Sequence, residues 1–299
     1  MATLNVAVTG STGLFGHGLV EVFRSRHTVF PLTRAEVNIT KAEEVRVVLA
    51  KLRPDIIVHA AATPDLDICE ADPGTAFLVN VEGTRHVVEA AQEINAAVAY
   101  ISTDAIFDGR KQTPYTESDL THPPTVYGRT KLLAEQMVRD LPAHWIFRVS
   151  VLFGPGKTNF VEKCLRKIAA GEEYVAASNQ VGTATYTLDA ARKIAEVLES
   201  RHYGLFHLSN AGACSRLELA RRAAALAGLD PEKVIGKPAE QMGRLAPGLN
   251  YSVMEMEALK QAGFALPRNW EEALAEYIRA LDQLQNPLVP GAMPTAKSW

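Results

Sequence analysis

The chain has 299 residues and a net charge of −3, with 47% apolar and 22% charged residues. It is long and apolar enough to bury a large core, either as one α/β domain or as one domain with a lobe. Because no basic run or stripe occurs, the sequence disfavours nucleic acid and anionic membranes as partners.

The alternation of apolar and amphipathic segments indicates βαβ units and a parallel sheet. Apolar runs predict strands at 4–9, 28–33, 55–59, 97–102 and 144–150. Amphipathic stretches predict helices at 14–25, 41–52, 75–95, 125–140 and 189–200. The predicted fold class is therefore α/β, with a doubly wound parallel sheet of the Rossmann type.

The pattern loosens after residue 154. Predicted there are a helix near 158–170, a short strand with the polar segment Ser178–Tyr186, a strand at 203–208, and helices at 215–227, 254–263 and 270–285. We interpret 1–150 as the core of one domain and 151–299 mostly as a smaller C-terminal α/β lobe that returns at least one element to it. The tail Asn286–Trp299, rich in proline and small residues, is predicted to be a mobile end or an arm onto a partner subunit.

A glycine-rich turn joins the first strand to the first helix. Residues 6–16 read Val-Ala-Val-Thr-Gly-Ser-Thr-Gly-Leu-Phe-Gly. A dinucleotide site needs glycine for a tight turn at Gly10, for close approach of backbone to phosphate at Gly13, and for helix-to-strand packing at Gly16. The helix N-terminus then offers free N–H groups to the pyrophosphate. This turn predicts that the first domain binds a dinucleotide. We interpret the C-terminal lobe as mostly substrate-binding.

Tyr127 and Lys131 lie four residues apart at the start of a predicted helix. This spacing puts both side chains on one helix face. Because a neighbouring ammonium favours phenolate, we expect the lysine to lower the pKa of the phenol from its usual value of about 10. Such a tyrosine gives a proton to a carbonyl oxygen while hydride arrives at the carbon. A surface pair is the alternative, but the position after the fourth strand favours catalysis.

The fourth predicted strand ends in Ser102, Thr103 and Asp104. Ligands of doubly wound sheets lie beyond the carboxyl ends of the strands, so we expect these side chains in the ligand crevice. Ordinary capping of the strand end is the alternative.

Together these motifs resemble the extended short-chain dehydrogenase/reductase superfamily, in which Ser or Thr, Tyr and Lys act as one catalytic unit. Further segments make most of the chain similar to the dTDP-4-dehydrorhamnose reductase family: His59–Ala62, Val79–Asn80, Arg148, Asn159–Phe160, Asn179–Tyr186 and Phe206–Gly212. The resemblance implies that NADPH or NADH delivers hydride to the keto carbon of a deoxy-ketosugar nucleotide. It also implies that Tyr127 protonates the alkoxide, Lys131 lowers the pKa of that tyrosine and holds the nicotinamide ribose, and Thr103 donates a hydrogen bond to the carbonyl oxygen.

The binding residues follow from the same resemblance. Cofactor contacts are expected at Gly10, Thr12, Gly13, Leu14, Phe15, Gly16, Ala60, Ala61, Ala62 and Lys131. Arg34 and Asn38 are predicted to belong to this site, and Asn80 to help order a water beneath Lys131. Substrate contacts are expected at Thr103, Asp104, Ala105, Val151, Asn159 and Gln180.

Several positions depart from the family pattern. The family usually has Ser-Thr-Asp-Tyr-Val-Phe, where this chain has Ala105 and Ile106, and many members have a tryptophan where this chain has Val151. The usual Pro-Thr and Arg-Pro are replaced by Ala184–Thr185 and Ala246–Pro247. The loss of two aromatic walls predicts a wider or differently shaped pocket and leaves the sugar and the nucleotide open.

The end of the second strand bears on the choice of cofactor. NAD enzymes place an acidic side chain there to accept from the ribose 2′-OH, and an arginine can instead meet a 2′-phosphate. This chain has Thr33 and Arg34 there, and its first carboxylate is Glu36. We therefore predict NADP as the cofactor, with NAD as the alternative.

Two alternatives to a reductase stay open. A 4,6-dehydratase is disfavoured, because Ala105 stands where dehydratases have the glutamate of an Asp-Glu pair. A nucleotide-sugar epimerase of the same superfamily needs no extra residue. A catalytically silent subunit, similar to the regulatory subunit of methionine adenosyltransferase, would bind the dinucleotide and serve a partner enzyme. The presence of Thr103, Tyr127 and Lys131 favours an active enzyme.

The cysteine pattern bears on compartment and metals. Cys69, Cys164 and Cys214 are odd in number and unrelated in spacing, which favours free thiols in a reducing compartment. They form no metal pattern, and His59 has no carboxylate or cysteine at metal spacing, so no metal is predicted. The first strand follows Met1 closely and no stretch is as long as a membrane span, so we expect a cytoplasmic protein without a membrane partner. The resemblance allows a homodimer, although we find no interface signature.

Overall fold

The computed structural model describes residues 3–283. The strands are β1 Asn5–Thr9, β2 Thr28–Leu32, β3 Ile56–His59, β4 Ala97–Thr103, β5 His144–Val149, β6 Leu152–Phe153, β7 Tyr174–Ala177, β8 Val181–Gly182, β9 Thr185–Tyr186, β10 Gly204–His207, β11 Cys214–Ser215, β12 Val234–Lys237 and β13 Tyr251–Ser252. The α-helices are α1 Leu14–Phe23, α2 Ala42–Leu52, α3 Leu66–Ala71, α4 Pro73–Phe77, α5 Gly83–Ile94, α6 Val126–Arg139, α7 Phe160–Ala169, α8 Thr187–Ser200, α9 Arg216–Leu226, α10 Glu257–Gln261 and α11 Trp270–Gln283.

Six strands form the central sheet in the order β10-β5-β4-β3-β1-β2, and every neighbouring pair is parallel. The inner strands are almost continuously apolar because helices cover both faces of the sheet. Side chains of α1 and α8 complete the core on one face, and side chains of α2, α5 and α6 complete it on the other. This arrangement confirms the predicted doubly wound parallel sheet.

The direction of winding reverses between β1 and β3. From β1 the chain builds β2 on one side, and β3, β4 and β5 follow on the other. A crevice for ligands lies outside the carboxyl ends of the strands at such a switch point. Thr9, His59 and Thr103 end β1, β3 and β4 and therefore stand at this edge.

The region predicted as one helix at 75–95 is interrupted. A π-helical turn, Leu78–Glu82, separates α4 from α5. A π turn contains one more residue than an α turn, so it changes the direction of the side chains that follow. Asn80 lies in this turn and is buried. Apolar periodicity does not reveal such an insertion, which explains the difference.

The C-terminal half adds to the main sheet and also forms small sheets. β10 extends the main sheet beside β5, and α8 packs against α1. The smaller sheets have the orders β11-β8-β13, β12-β7 and β6-β9. The segment Ser178–Tyr186 carries two short strands instead of one, and the helix predicted at 254–263 is limited to α10. Residues 284–299, which contain the predicted tail, lie outside the described residues, and the division at residue 150 stays a prediction.

Candidate active site

Two cavities meet beyond the carboxyl edge of the sheet. The larger has a volume of about 740 Å³ and extends along the ends of β1, β2 and β3. The smaller has a volume of about 410 Å³ and opens toward the C-terminal half. Five residues line both: Pro64, Leu66, Thr103, Asp104 and Tyr127. A reaction between ligands bound in the two cavities would therefore take place at this boundary, where Thr103, Asp104 and Tyr127 carry the polar side chains.

The glycine turn after β1 is shaped in a way that only glycine allows. Gly10 has a φ of +69°, and a Cβ there would lie 2.7 Å from the backbone of Ala61. A Cβ on Gly16 would lie 2.1 Å from the carbonyl oxygen of Gly10. The N-cap of α1 is Gly13, with no capping side chain and no acidic residue in the first turn. The N–H groups of this helix end are therefore available to an anion, and the turn fits a dinucleotide pyrophosphate.

The larger cavity brings together nearly all the residues predicted to bind the cofactor. They are Gly10, Thr12, Gly13, Leu14, Phe15, Gly16, Arg34, Asn38, Ala60, Ala61, Ala62 and Lys131. Val151, predicted to contact the substrate, lines this cavity as well. Lys157 and Thr158 also line it, and sequence reasoning missed them because the loop before α7 carries no recognisable cofactor motif.

Asn80 lies behind the cavity wall instead of in it. Its Oδ1 accepts from the N–H of Thr63 at 2.8 Å, and its Nδ2 donates to Thr130 Oγ1 at 3.0 Å. Asn80 therefore ties the loop after β3 to the helix that carries Tyr127 and Lys131.

Helix α6, which carries Tyr127 and Lys131, packs closely on the end of β4. Thr125 caps it, since its Oγ1 accepts from the N–H of Gly128 at 3.0 Å. A Cβ on Gly128 would lie 2.1 Å from the carbonyl oxygen of Ala105, so glycine permits this close contact. As a result Tyr127, on the first turn of α6, lies beside Thr103 at the end of β4, and both line the two cavities.

Burial governs the phenol of Tyr127. It raises the pKa of Tyr127 well above its ordinary value; a hydrogen bond with Thr103 opposes this effect in part, and the charge of Asp104 adds to it. The prediction that Lys131 makes this phenol more acidic is therefore not met in the structure. The phenol of Tyr127 is therefore protonated at neutral pH.

Lys131 points toward the strand instead. Its Nζ donates to the carbonyl oxygen of Ile101 at 2.6 Å and lies 4.0 Å from the centre of the Tyr100 ring. Burial lowers the pKa of Lys131 to about 7, and Glu135 opposes that change. The four-residue spacing placed Tyr127 and Lys131 on one face, as expected, but it does not determine where a long lysine side chain ends.

The smaller cavity carries charge that sequence reasoning missed. Besides Thr103, three residues predicted to contact the substrate line this cavity: Asp104, Ala105 and Gln180. Arg216 and Arg244 line it too. The backbone N–H of Arg216, at the start of α9, donates to the carbonyl oxygen of Gln180 at 3.1 Å. Asp104 favours the charged form of this arginine and thereby opposes the lowering of its pKa by burial.

Asn159 does not reach either cavity. Its Oδ1 accepts from the N–H of Val161 at 3.0 Å as the N-cap of α7. Its Nδ2 donates to the carbonyl oxygen of Gly154 at 2.9 Å and to the hydroxyl of Tyr277 at 2.7 Å. Since its amide is fully used and buried, the structure gives Asn159 the role of a cap and not of a substrate contact.

His59 is a buried structural residue. Its ring nitrogens contact the hydroxyls of Thr9 at 2.7 Å and Thr84 at 3.1 Å. Burial lowers the pKa of His59 to about 3, so the ring is neutral. Over residues 3–283 no group of three or more His, Cys, Asp or Glu side chains is placed to hold a metal ion. No helix in that range is both long and apolar enough to cross a bilayer.

A family model described as the RmlD substrate binding domain matches residues 4–283. The chain belongs to this family. The spore coat polysaccharide biosynthesis protein SpsK of Bacillus subtilis (strain 168) is 34% identical to it over 276 residues, 92% of this chain and 96% of that protein. The dTDP-4-keto-6-deoxy-D-glucose reductase of Streptomyces niveus is 34% identical over 274 residues, 90% of this chain and 94% of that protein.

A solved structure is also similar over the whole fold. The crystal structure of dTDP-4-dehydrorhamnose reductase (rfbD) from Bacillus anthracis str. Ames in complex with NADP superposes with a TM-score of 0.90 at 31% identity, covering 93% of this chain and 100% of that one. These findings confirm the family resemblance predicted from the sequence. They favour a reductase over the epimerase and regulatory-subunit alternatives.

Proposed function

We propose that the protein is an NADPH-dependent reductase of a keto-deoxysugar nucleotide. The observation that carries this proposal is the meeting of the two cavities at Thr103, Asp104 and Tyr127. A phenol at that junction can donate a proton to the oxygen of a carbonyl held in one cavity, while hydride reaches the carbonyl carbon from a cofactor in the other.

The residues of the larger cavity fit NADP. The glycine turn and the open N-terminus of α1 would hold the pyrophosphate. Arg34 lines the far end, where a 2′-phosphate would lie. The carboxylate of Glu36 accepts from the N–H of Thr33 at 2.6 Å. It therefore binds the backbone of its own loop and is not placed to accept from a ribose hydroxyl. When bound, the reduced cofactor supplies the hydride.

The residues of the smaller cavity fit a nucleotide diphosphate. Arg216 and Arg244 bring two positive charges to a cavity of about 410 Å³. Three carboxylates line it too, and each already accepts a hydrogen bond within the protein: Asp65 from the N–H of Ile68, Asp67 from the N–H of Ala246, and Asp104 from Ser150. Guanidinium groups bind phosphate oxygens with charge-assisted, often paired, hydrogen bonds. The names of the relatives, which specify dTDP-linked keto-deoxysugars, agree with this chemistry. We therefore propose a dTDP-linked or similar keto-deoxysugar as the substrate.

The chain's own residues then act as follows. Tyr127 donates its phenolic proton to the oxygen that becomes an alkoxide; since burial raises the pKa of this tyrosine, the proton is present at neutral pH. Thr103, whose Oγ1 donates to Asp104 Oδ1 at 3.1 Å in the structure, would turn this hydroxyl to the same oxygen. Asp104 is oriented by Ser150, whose Oγ donates to its Oδ2 at 2.6 Å. Lys131, which lines the larger cavity, would bind ribose hydroxyls of the cofactor.

The test is an assay of the purified protein with a panel of dTDP-4-keto-6-deoxyhexoses and NADPH. We expect one NADPH to be oxidised for each sugar reduced, followed by the absorbance of the reduced nicotinamide and by product chromatography. An epimerase would change the sugar without net consumption of NADPH. Tight NADPH binding with no turnover of any sugar would instead support the silent subunit and overturn the proposal.

Cytoplasmic location, a homodimer and the absence of a nucleic-acid partner belong to the same proposal and stay predictions. Size-exclusion chromatography with light scattering measures the oligomeric state directly.

A further inference from the structure

Two side chains one helical turn apart on α6 contact successive residues of β4. The ammonium of Lys131 donates to the carbonyl oxygen of Ile101 at 2.6 Å. The carboxylate of Glu135 accepts from Ser102 Oγ at 2.5 Å. Residues four apart share a helix face, so α6 is fixed to the strand at two neighbouring points. Thr103, the next residue of β4, lines both cavities.

A buried ion pair fixes Glu135 from its other side. Arg148 on β5 donates from Nε to Oε1 at 3.0 Å and from Nη2 to Oε2 at 2.9 Å. The two side chains are 1% and 0% exposed. The remaining nitrogen, Nη1, donates to His207 Nε2 at 3.5 Å, and His207 Nδ1 donates to the carbonyl oxygen of Glu255 at 2.9 Å. Arg139, a half-exposed residue one turn further along α6, also donates from Nη2 to Glu135 Oε2 at 3.5 Å. The carboxylate is therefore held in one place by a continuous hydrogen-bonded group.

Stability alone does not account for this pair. Removing two charges from water costs about as much as their attraction returns, and apolar replacements of buried pairs are often neutral or stabilising. Glu135 follows the lysine by one turn of α6, and it contacts the residue of β4 next to the one that the ammonium contacts. A fixed negative charge at that place has an electrostatic use.

We infer that Glu135 is a positioning residue for Lys131: held by Arg148 and Ser102, its carboxylate sets α6 against β4 and favours the charged form of the lysine that the same helix carries one turn earlier. The inference rests on the role that the proposed function gives to Lys131. It concerns the charge of the lysine and not the identity of the sugar.

The other titratable groups around Lys131 do not supply this charge. His59 on β3 is neutral, because burial lowers its pKa to about 3. Burial likewise raises the pKa of Tyr100 on β4 and of Tyr127 on α6, so both phenols are neutral. Asp104 acts on Tyr127. Among these described groups, Glu135 is the one whose charge favours the protonated lysine.

Replacing either member of the Glu135–Arg148 pair should shift the pKa of Lys131, and the two replacements should shift it in opposite directions. E135Q removes the negative charge and leaves the buried Arg148 without its carboxylate, so the lysine should titrate about one pH unit lower. R148M removes the buried cation and leaves the carboxylate with the half-exposed Arg139, so the lysine should titrate about one pH unit higher. In the double variant E135Q/R148M the two shifts should largely cancel.

The lysine is followed in two ways without any keto sugar. One is the pH dependence of the NADPH dissociation constant, measured by fluorescence; the other is the ammonium signal in NMR of protein with nitrogen-labelled lysine, assigned with K131M. The surface pair Glu82–Arg85, joined at 2.7 Å with 32% and 42% exposed side chains, provides the matched control. E82Q should leave the titration of Lys131 unchanged.

Shifts of the same sign in E135Q and R148M, or no shift in either, would overturn the inference. If E135Q does not fold, the two variants of Arg148 decide. R148M should raise the titration midpoint of Lys131. R148K, which keeps the positive charge, should leave that midpoint near the wild-type value. Because neither measurement uses a sugar substrate, an error in the proposed substrate would not alter these outcomes.

Discussion

The two cavities that meet at Tyr127 are built in different ways. The larger is lined mainly by turns that directly follow β1, β2 and β3, so its wall consists of short continuous segments. The smaller is lined by pieces far apart in the chain, among them Pro64–Asp67, Gln180–Gly182, Arg216, Arg244 and Ala246–Leu249. A site made of continuous turns leaves motifs in the sequence. A site made of distant pieces leaves only single residues.

The tyrosine shared by both cavities provides the largest expected effect. Y127F removes the proton donor and no other atom, so kcat should fall by at least ~100-fold. The dissociation constants of NADPH and of the nucleotide sugar should change little, because the ring remains. Stopped-flow single-turnover kinetics and titrations measure both. Y203F, which alters a half-exposed tyrosine against Trp145, is the control. Near-wild-type turnover in Y127F would remove the role assigned to this phenol.

The next variant separates the smaller cavity from the larger. R216Q removes one of the two cations in the smaller cavity, and the loss of a charge-assisted hydrogen bond should raise KM for the nucleotide sugar about 10- to 100-fold. NADPH binding should be unchanged. R222Q is a matched control, because Arg222 lies on the same helix and pairs with Glu271 at 2.9 Å on the surface. If R216Q weakened NADPH and spared the sugar, the assignment of the two cavities would be wrong.

The contrast between the cavities explains what could be predicted from the sequence. Gly16 is required by its close contact with Gly10, and Gly10 by its close contact with Ala61 in the loop after the neighbouring strand β3. The spacing of these glycines can be recognised in the sequence without a structure. Arg216 has no such signal: it begins an ordinary capped helix and reaches the cavity only because β11 pairs with β8. Its role depends on tertiary packing.

Two other differences have local causes. Asn159 was expected at the substrate, but an asparagine before a helix is also a preferred N-cap, and the same residue satisfies both patterns. Lys131 was expected to act on the phenol of Tyr127, but its flexible side chain binds the carbonyl oxygen of Ile101. In both cases the role depends on the partners of the side chain, which the sequence alone does not show.

A smaller effect should appear at the far end of the larger cavity. R34A should weaken NADPH about tenfold, because a charge-assisted contact with the 2′-phosphate is lost, and should leave NADH binding unchanged. Isothermal titration with each cofactor makes the comparison. R24A changes an exposed arginine at the end of α1 that does not line the cavity, and should affect neither. Equal weakening of both cofactors in R34A would place this arginine elsewhere than at the 2′ position.

The smallest expected effect concerns stability at the junction. Burial lowers the pKa of Lys131 from 10.5 to about 7, so between these values the unfolded chain holds a proton that the folded chain has released. The free energy of unfolding should therefore rise with pH in this window, by about 1 kcal/mol between about pH 7 and about pH 8, and should show no slope from this group at lower pH, where both states are protonated. K131M should abolish that rise. Buried tyrosines and cysteines also titrate at high pH, but they are common to both proteins, so the difference between the two denaturation series at each pH isolates the lysine. An equal slope in wild type and K131M would mean that this ammonium is solvated and that burial does not lower its pKa.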